Sequence, residues 1–355
     1  MNQRVLITGG AGFVGSSLAL GLAARHPDWS IVALDNLKRR GSELNLPRLK
    51  NAGIEFVHGD IRNPEDLDPA VLKPTLILEC SAEPSVMAGY GSPGYLLQTN
   101  LVGTINCLEL ARATKADFVF LSTSRVYPIP YLTQLEYAET ETRFALNAEQ
   151  PMRGASEHGI AEDFPLDKAR SLYGTTKLTS ELLIAEYNDA YGLRTLVNRC
   201  GVLTGAWQMG KVDQGVFALW VARHYFGKPL KYIGYGGTGK QVRDFLHVDD
   251  LLDLLDLQLA DFDSFNGETF NVGGGMENQV SLLETTQLCQ EIVGKTIEIT
   301  AEPETRVGDV PIFVTDSRKI IDRTGWQPQR DIRKTLSDIY EWIVAEEASV
   351  RQIFL

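Results

Sequence analysis

This chain is predicted to adopt an α/β fold: a Rossmann-type doubly wound parallel sheet with a smaller mixed α/β lobe. Three features predict it. Short apolar runs alternate with longer amphipathic ones over roughly the first 125 residues. A glycine-rich turn joins the first run to the first helix, and a carboxylate, Asp35, closes the second run. Strands separated by helices favour a parallel sheet, because each crossover helix must cover a sheet face.

In chain order, Arg4–Thr8 reads as a buried strand and Val14–Arg25 as a helix with apolar residues at helical spacing. Ser30–Asp35 and Gly53–Gly59 are the next strands expected, followed by Leu76–Cys80 and Phe118–Ser122, with a helix over Asn100–Thr114 between the last two. From about Pro128 to Arg170 the periodicity fails, with Pro128, Pro130, Pro151 and Pro165 spread through it. A loop this long inside a compact domain is usually functional, so it is expected to be a flap or insertion near the site, the alternative being a decorative surface excursion. A helix carrying Tyr173 and Lys177 then runs to about Tyr191, followed by the strand Arg194–Asn198.

Past Gly201 the texture changes, with Gly, Trp, Gln and Lys in Gly205–Gln214, a helix ending at Phe226 and the glycine-rich Gly234–Gly239. Helices are expected over Asp249–Leu259, Leu282–Val293 and Ile332–Glu347, with a short strand at Thr269–Val272. The expected division puts residues 1–200, plus about 240–262, in the first domain. Residues 201–239 and 263–355 form the second lobe.

Bulk properties narrow the function. A chain of 355 residues can bury a large core, and its 44% hydrophobic and 23% charged content is that of a soluble globular protein. The net charge of −12, with no long basic tract, argues against a nucleic-acid partner. No apolar run approaches the ~20 residues needed to cross a bilayer, and the N-terminus shows no charged-then-apolar leader. Cys80, Cys107, Cys200 and Cys289 are scattered without CxxC spacing, as expected for free thiols in a reducing cytoplasm. A cytoplasmic protein with no membrane contact and no metal site is the expectation.

Gly9, Gly12 and Gly15 follow a strand and open a helix. Gly9 can turn tightly, Gly12 lets the backbone approach a pyrophosphate, and Gly15 permits close helix–strand packing. The helix N-terminus adds free N–H groups and a partial positive charge. Asp35, at the end of the next strand, can accept hydrogen bonds from adenosine ribose hydroxyls and would repel a 2′-phosphate. NAD is therefore the expected cofactor, although Arg39 and Arg40 pull toward NADP. Phe13, Val14, Asn36, Ser81 and Ser122 are counted as further cofactor-side positions. Asp60 and Ile61 would flank the adenine, unless Asp60 merely caps a turn.

Tyr173 and Lys177 lie on one helical face at i and i+4. A phenol titrates near 10 and is a poor base at neutral pH; a neighbouring ammonium and a positive nicotinamide ring favour the phenolate. Residues Ser122–Tyr127 end a strand expected beside that helix. A hydroxyl at the carboxyl edge of a parallel sheet can share a hydrogen bond with a substrate oxygen. Thr123 is the choice, with Ser124 the runner-up and Tyr127 read as packing.

From Gly9 to about Trp342 these residues resemble the extended short-chain dehydrogenase/reductases, in the NAD-dependent nucleotide-sugar epimerase and dehydratase group. The runs Val57–Asn63, Val212–Gly215 and Gly239–Asp244 look closer still to the branch that inverts C2 of a CDP-linked sugar. By that resemblance Thr123, Tyr173 and Lys177 match the catalytic hydroxyl, base and lysine. Gly9, Gly12, Gly15, Asp35, Asp60, Ile61 and Asn100 match cofactor-side positions. Gln208, Gln214, Arg243 and Arg306 fall where such enzymes hold a nucleotide diphosphate, with Ser124, Arg125 and Gln241 also on the substrate side. Planar multi-donor arginines suit a phosphorylated ligand on an acidic protein, which supports Arg243 and Arg306 independently, with surface salt bridging the alternative for each.

The chain also departs from the group. Glu79, Cys80, Ser81 and Ala82 replace its usual His-Leu-Ala-Gly/Ala run, Pro128 replaces a glycine, and the insertion from Pro128 to Arg170 is longer. These changes are expected to border the sugar pocket. Dehydratase relatives place Asp-Glu directly after the threonine; here Ser124 and Arg125 stand there, which disfavours elimination of water. The rival readings are a UDP-sugar 4-epimerase, a net dehydrogenase, and a catalytically silent dinucleotide sensor. A homodimer or homotetramer is expected, with Asn100–Thr114 and Thr176–Tyr191 as its seam, unless their apolar faces are core.

Overall fold

The structure is a computed structural model in which residues 3–212 and 214–355 are described. Met1, Asn2 and Asp213, the last within the Val212–Gly215 run, lie outside the described residues. The chain divides into two compact units. One comprises the residues up to Val126 with Leu172–Arg199 and Leu251–Phe270; the other comprises Tyr127–Ser171, Cys200–Asp250 and Asn271–Leu355.

The first unit is built on strands β1 (Arg4–Thr8), β2 (Ser30–Asp35), β3 (Glu55–His58), β4 (Leu76–Glu79) and β5 (Asp117–Thr123). They belong to a seven-stranded sheet in the order Glu268–Val272, Thr195–Cys200, β5, β4, β1, β2, β3. The pairs β1–β2, β1–β4, β2–β3 and β4–β5 are all parallel. Leucine, isoleucine and valine fill these strands because both faces are covered: Val5, Leu6, Ile7, Leu76, Ile77 and Leu78 are all buried. The helices Gly103–Thr114 and Leu172–Tyr191 contribute Cys107, Leu108, Ala111 and Ile184 to the core. The strand order reverses between β1 and β4. A crevice outside the carboxyl ends of a parallel sheet opens at such a switch point.

Two boundaries differ from expectation. The strand Val242–His247, expected with the first domain, lies in the second unit. There it pairs with Val202–Thr204, Gln279–Ser281 and Ile312–Phe313. Conversely, the strand expected at Thr269–Val272 in the second lobe is Glu268–Val272, at the edge of the seven-stranded sheet. Both strands are short, and their partners are set by contacts far away in sequence.

The segment from Pro128 to Arg170 is not a structureless loop, and it belongs to the second unit. A short helix, Ile129–Leu132, is followed by antiparallel hairpins pairing Tyr137–Glu139 with Phe144–Leu146 and Ala155–Ser156 with Gly159–Ile160. Long-range bonds hold it down: Phe144 N donates to Lys240 O at 3.0 Å, and Ile160 N to Val314 O at 2.9 Å. Arg143 Nε reaches Glu284 Oε1 at 2.7 Å. Where the helix Asn100–Thr114 was expected to begin, a π-helical turn at Gln98–Val102 precedes a regular helix from Gly103. No helix of the described residues is long and apolar enough to cross a membrane.

Candidate active site

The turn after β1 is shaped by three crowded glycines. Gly9 has φ +64°, and a Cβ there would stand 2.9 Å from Cys80 O, so the turn packs directly on the chain leaving β4. A Cβ on Gly15 would lie 2.2 Å from Gly9 O. Gly12 is less crowded: its added Cβ would meet only Gly9 O, at 3.1 Å, so packing demands glycine less there than at Gly9 or Gly15. Gly12 caps the helix Phe13–Arg25, whose first turn, including Phe13 and Val14, carries no acidic side chain to occupy its free N–H groups. This cradle fits an approaching pyrophosphate.

Asp35 tethers the same turn, accepting from Ala11 N at 3.1 Å and Leu37 N at 2.8 Å. Burial raises its carboxyl above the ordinary range, opposed by these amide bonds. Asn36 Nδ2 donates to Asp60 Oδ2 at 2.9 Å, and Arg62 grips the same carboxylate through Nε, at 2.9 Å from Oδ1. Hydrogen bonding to Arg62 holds Asp60 well below the usual carboxylate range. Ile61 turns inward: it belongs to the core, and a Cβ on Gly103 would come within 2.4 Å of its Cδ1.

Tyr173 and Lys177 sit on the buried face of the Leu172–Tyr191 helix, 8% and 2% exposed. Lys177 Nζ donates to Leu121 O at 2.9 Å and lies 4.2 Å from the Phe120 ring centroid. The ammonium is thereby fixed against the carboxyl end of β5, two residues before Thr123. The Thr123 hydroxyl accepts from Arg125 N at 3.2 Å, which leaves its own proton to donate. Ser124 and Arg125 form the turn that follows.

Ser122 is spent inward, donating to Glu181 Oε1 at 2.5 Å, where Glu181 pairs with buried Arg199 at 2.7 Å. Asn100 is fully buried and clasps the loop past Ser81, accepting from Glu83 N at 2.7 Å and donating to Glu83 O at 3.1 Å. Ser81 is half-buried in that loop.

Glu79, expected at the sugar pocket, is instead enclosed at the end of β4. It is 0% exposed, its Oε2 is 3.7 Å from Lys177 Nζ, and among the described residues neither carboxylate oxygen makes a hydrogen bond of good geometry, the Ser81 amide and Lys177 being the donors that bear on it. Burial pushes this carboxyl up to about 7, with Lys177 pulling the other way. Its signal in the sequence was an acid closing the apolar run Leu76–Leu78.

In the second unit the expected diphosphate residues are already engaged. Arg243 Nη2 binds Asp309 Oδ1 and Val310 O, each at 2.7 Å. Gln208 is buried, donating to Leu203 O at 2.9 Å and accepting from Thr204 Oγ1 at 3.0 Å. Gln241 Nε2 donates to Ile233 O at 2.6 Å, while its buried Oε1 has no hydrogen-bond partner. Arg306 Nη1 makes a weak 3.5 Å contact with Val212 O, and Gln214 N donates to Lys211 O at 3.2 Å. Tyr127, read as packing, is 1% exposed and donates to Asn271 Oδ1 at 2.7 Å. Asp244, the last residue of the Gly239–Asp244 run and given no role there, is buried and anchors a loop, its Oδ2 accepting from Gly274 N at 2.9 Å and Gly275 N at 3.3 Å.

Comparison with known proteins agrees with this geometry. The model of the NAD dependent epimerase/dehydratase family matches residues 5–273. The chain is 32% identical to the CDP-paratose 2-epimerase of Salmonella typhi, over 96% of this chain and 99% of that protein. It is 27% identical to the dTDP-glucose 4,6-dehydratase of Salmonella typhimurium (strain LT2), over 99% of this chain and 95% of that one. Among solved structures, the UDP-glucose 4-epimerase of Thermus thermophilus in complex with NAD matches with a TM-score of 0.77 at 28% identity, over 96% of this chain and 99% of that one. With a glycine cradle at the β1 turn, a tyrosine–lysine helix beside β5 and matches along nearly its whole length, the chain belongs to the NAD-dependent epimerase/dehydratase family.

Proposed function

We propose that the protein is an NAD-dependent epimerase of a nucleotide-diphosphate sugar, inverting C2 of a CDP-linked sugar as a CDP-paratose 2-epimerase does. The observation that carries the reading is the fixed position of Lys177 Nζ, 2.9 Å from Leu121 O on the strand that ends in Thr123, one helical turn from Tyr173. The first unit holds NAD, through Gly9, Gly12, Gly15 and Asp35, and the second holds the nucleotide sugar. Bound NAD supplies the hydride acceptor and donor through which a sugar carbinol passes to a ketone and back with its configuration inverted.

The residues do the rest. Tyr173, as phenolate, takes the proton of the sugar hydroxyl, and returns it when the alcohol re-forms. Lys177 stabilises that phenolate electrostatically. Thr123 donates a hydrogen bond to the same sugar oxygen as its charge rises. Ser124 and Arg125 supply no carboxylic acid for eliminating water, which speaks against dehydratase chemistry despite the dehydratase relatives.

Tyr173→Phe, assayed on CDP-paratose, should lose roughly 10²–10⁴-fold in turnover, the range for a positioned proton-transfer group. Undiminished epimerisation would remove the tyrosine from this role. The same assay in heavy water should leave no deuterium on carbon, since the hydride never exchanges with solvent. The similarity to a UDP-glucose 4-epimerase supports a second reading, inversion at C4 of a UDP-sugar, which parallel turnover of UDP-glucose would reveal.

A further inference from the structure

A carboxyl group has no packing reason to close β4. Leu76, Ile77 and Leu78 precede it as buried aliphatics, and a fourth would fill the space without a desolvation cost. Glu79 instead carries a carboxyl into a fully enclosed position where, among the described residues, neither oxygen makes a hydrogen bond of good geometry, which costs stability. Such a group persists when it serves something nearby. The surrounding elements of the first unit offer few choices. β1 contributes Thr8, the register neighbour of Glu79, whose hydroxyl also has no hydrogen-bond partner. β5 contributes Phe120, opposite Glu79 in register.

Two titratable groups face it. The Gly103–Thr114 helix brings Cys107, whose thiol is pushed well up by burial and further by Glu79, so that it stays neutral. The Leu172–Tyr191 helix brings Lys177, with Nζ 3.7 Å from Oε2. Lys177 needs a counter-charge. It is 2% exposed, it donates to one carbonyl, and it lies over one aromatic ring. A buried ammonium is costly unless an anion opposes it, and Glu79 is the carboxylate within reach.

We propose that Glu79 is a positioning residue, whose buried carboxylate keeps Lys177 an ammonium and holds it at the end of β5, where it governs the proton affinity of Tyr173. The proposal rests on the reading of Tyr173 and Lys177 as the proton-transfer pair. Burial that holds Glu79 near 7 makes its ionisation a neutral-pH event, consistent with a tuning role.

The test is the phenolate titration of Tyr173 in the NAD-loaded protein, read as the near-ultraviolet difference between each protein and its Tyr173→Phe counterpart. Glu79→Gln, nearly isosteric and able to keep the fold, should raise the midpoint by about one pH unit and lower kcat about tenfold near neutrality, with KM changed less than about twofold. Glu79→Asp should restore most of the shift. In a Lys177→Met background Glu79→Gln should add nothing. A midpoint unchanged or lowered in Glu79→Gln, or a shift that persists without Lys177, overturns the proposal. The titration needs no substrate, so it decides the Glu79–Lys177 link even if Tyr173→Phe keeps full turnover and the epimerase reading fails.

Discussion

At Gly12 and Gly15 the same substitution should have different consequences. A methyl at Gly15 collides with backbone at 2.2 Å, which cannot retreat without opening the turn. Gly15→Ala should therefore destabilise the protein by about 1–3 kcal/mol, as overpacking does, visible as a lowered midpoint in urea. A methyl at Gly12 meets one oxygen at 3.1 Å and little else. Gly12→Ala should lower the urea midpoint less than Gly15→Ala does and chiefly cost retained NAD, measured by mass spectrometry of the small molecules released on denaturation. Equal loss of stability in the two variants would remove Gly12 from the cofactor cradle. The glycine spacing was legible in the sequence, as were Tyr173 and Lys177, because turns and helical faces depend on neighbours a few residues away. What Glu79 touches was not legible, because Lys177 lies 98 positions later and only the sheet brings them together.

Among the elements, the helix Leu282–Val293 shows how local and long-range information divide. Its bounds were readable, and its start is a capping box: Glu284 N donates to Ser281 Oγ at 3.1 Å and Ser281 N to Glu284 Oε2 at 2.9 Å. The same residues secure the 128–170 segment, since Ser281 Oγ donates to Thr142 O at 2.8 Å and Glu284 Oε1 takes Arg143. Ser281→Ala should cost about 1 kcal/mol from the cap alone, and somewhat more with the Thr142 bond, by urea unfolding. Arg143→Ala should leave the capping box intact but loosen the hairpin, so that limited proteolysis cuts between Tyr137 and Leu146 faster than in the parent. That hairpin was invisible to pattern reading because its strands are three residues each and its anchors, Lys240 and Glu284, stand some hundred residues downstream.

Over the whole molecule, the fully buried carboxyls Glu79 and Asp244 pull stability down as pH rises, while His224 and His247, both lowered by burial, work the other way below about 6.5. Glu79 is raised from 4.5 to about 7, and Asp244 from 3.8 to about 6, both chiefly by burial. Between those limits the folded chain keeps protons that the unfolded chain has released, so stability falls as pH rises through the window. With respect to these two groups it is greatest below about pH 4 and is lost by about pH 7, at roughly 3 kcal/mol each as an upper bound. Urea titrations at pH 5 and pH 8 should show the decline, and Glu79→Gln should abolish its upper part; a slope unchanged in that variant would place the titration elsewhere. By itself the sequence determined the parallel sheet, the glycine turn and the tyrosine–lysine face, since all three rest on residue order over short spans. Only the tertiary structure decided where the strand Val242–His247 belongs, that residues 128–170 are ordered, and that an acid stands behind the lysine. Strand pairing and burial join residues a hundred positions apart, and no local pattern records the partner.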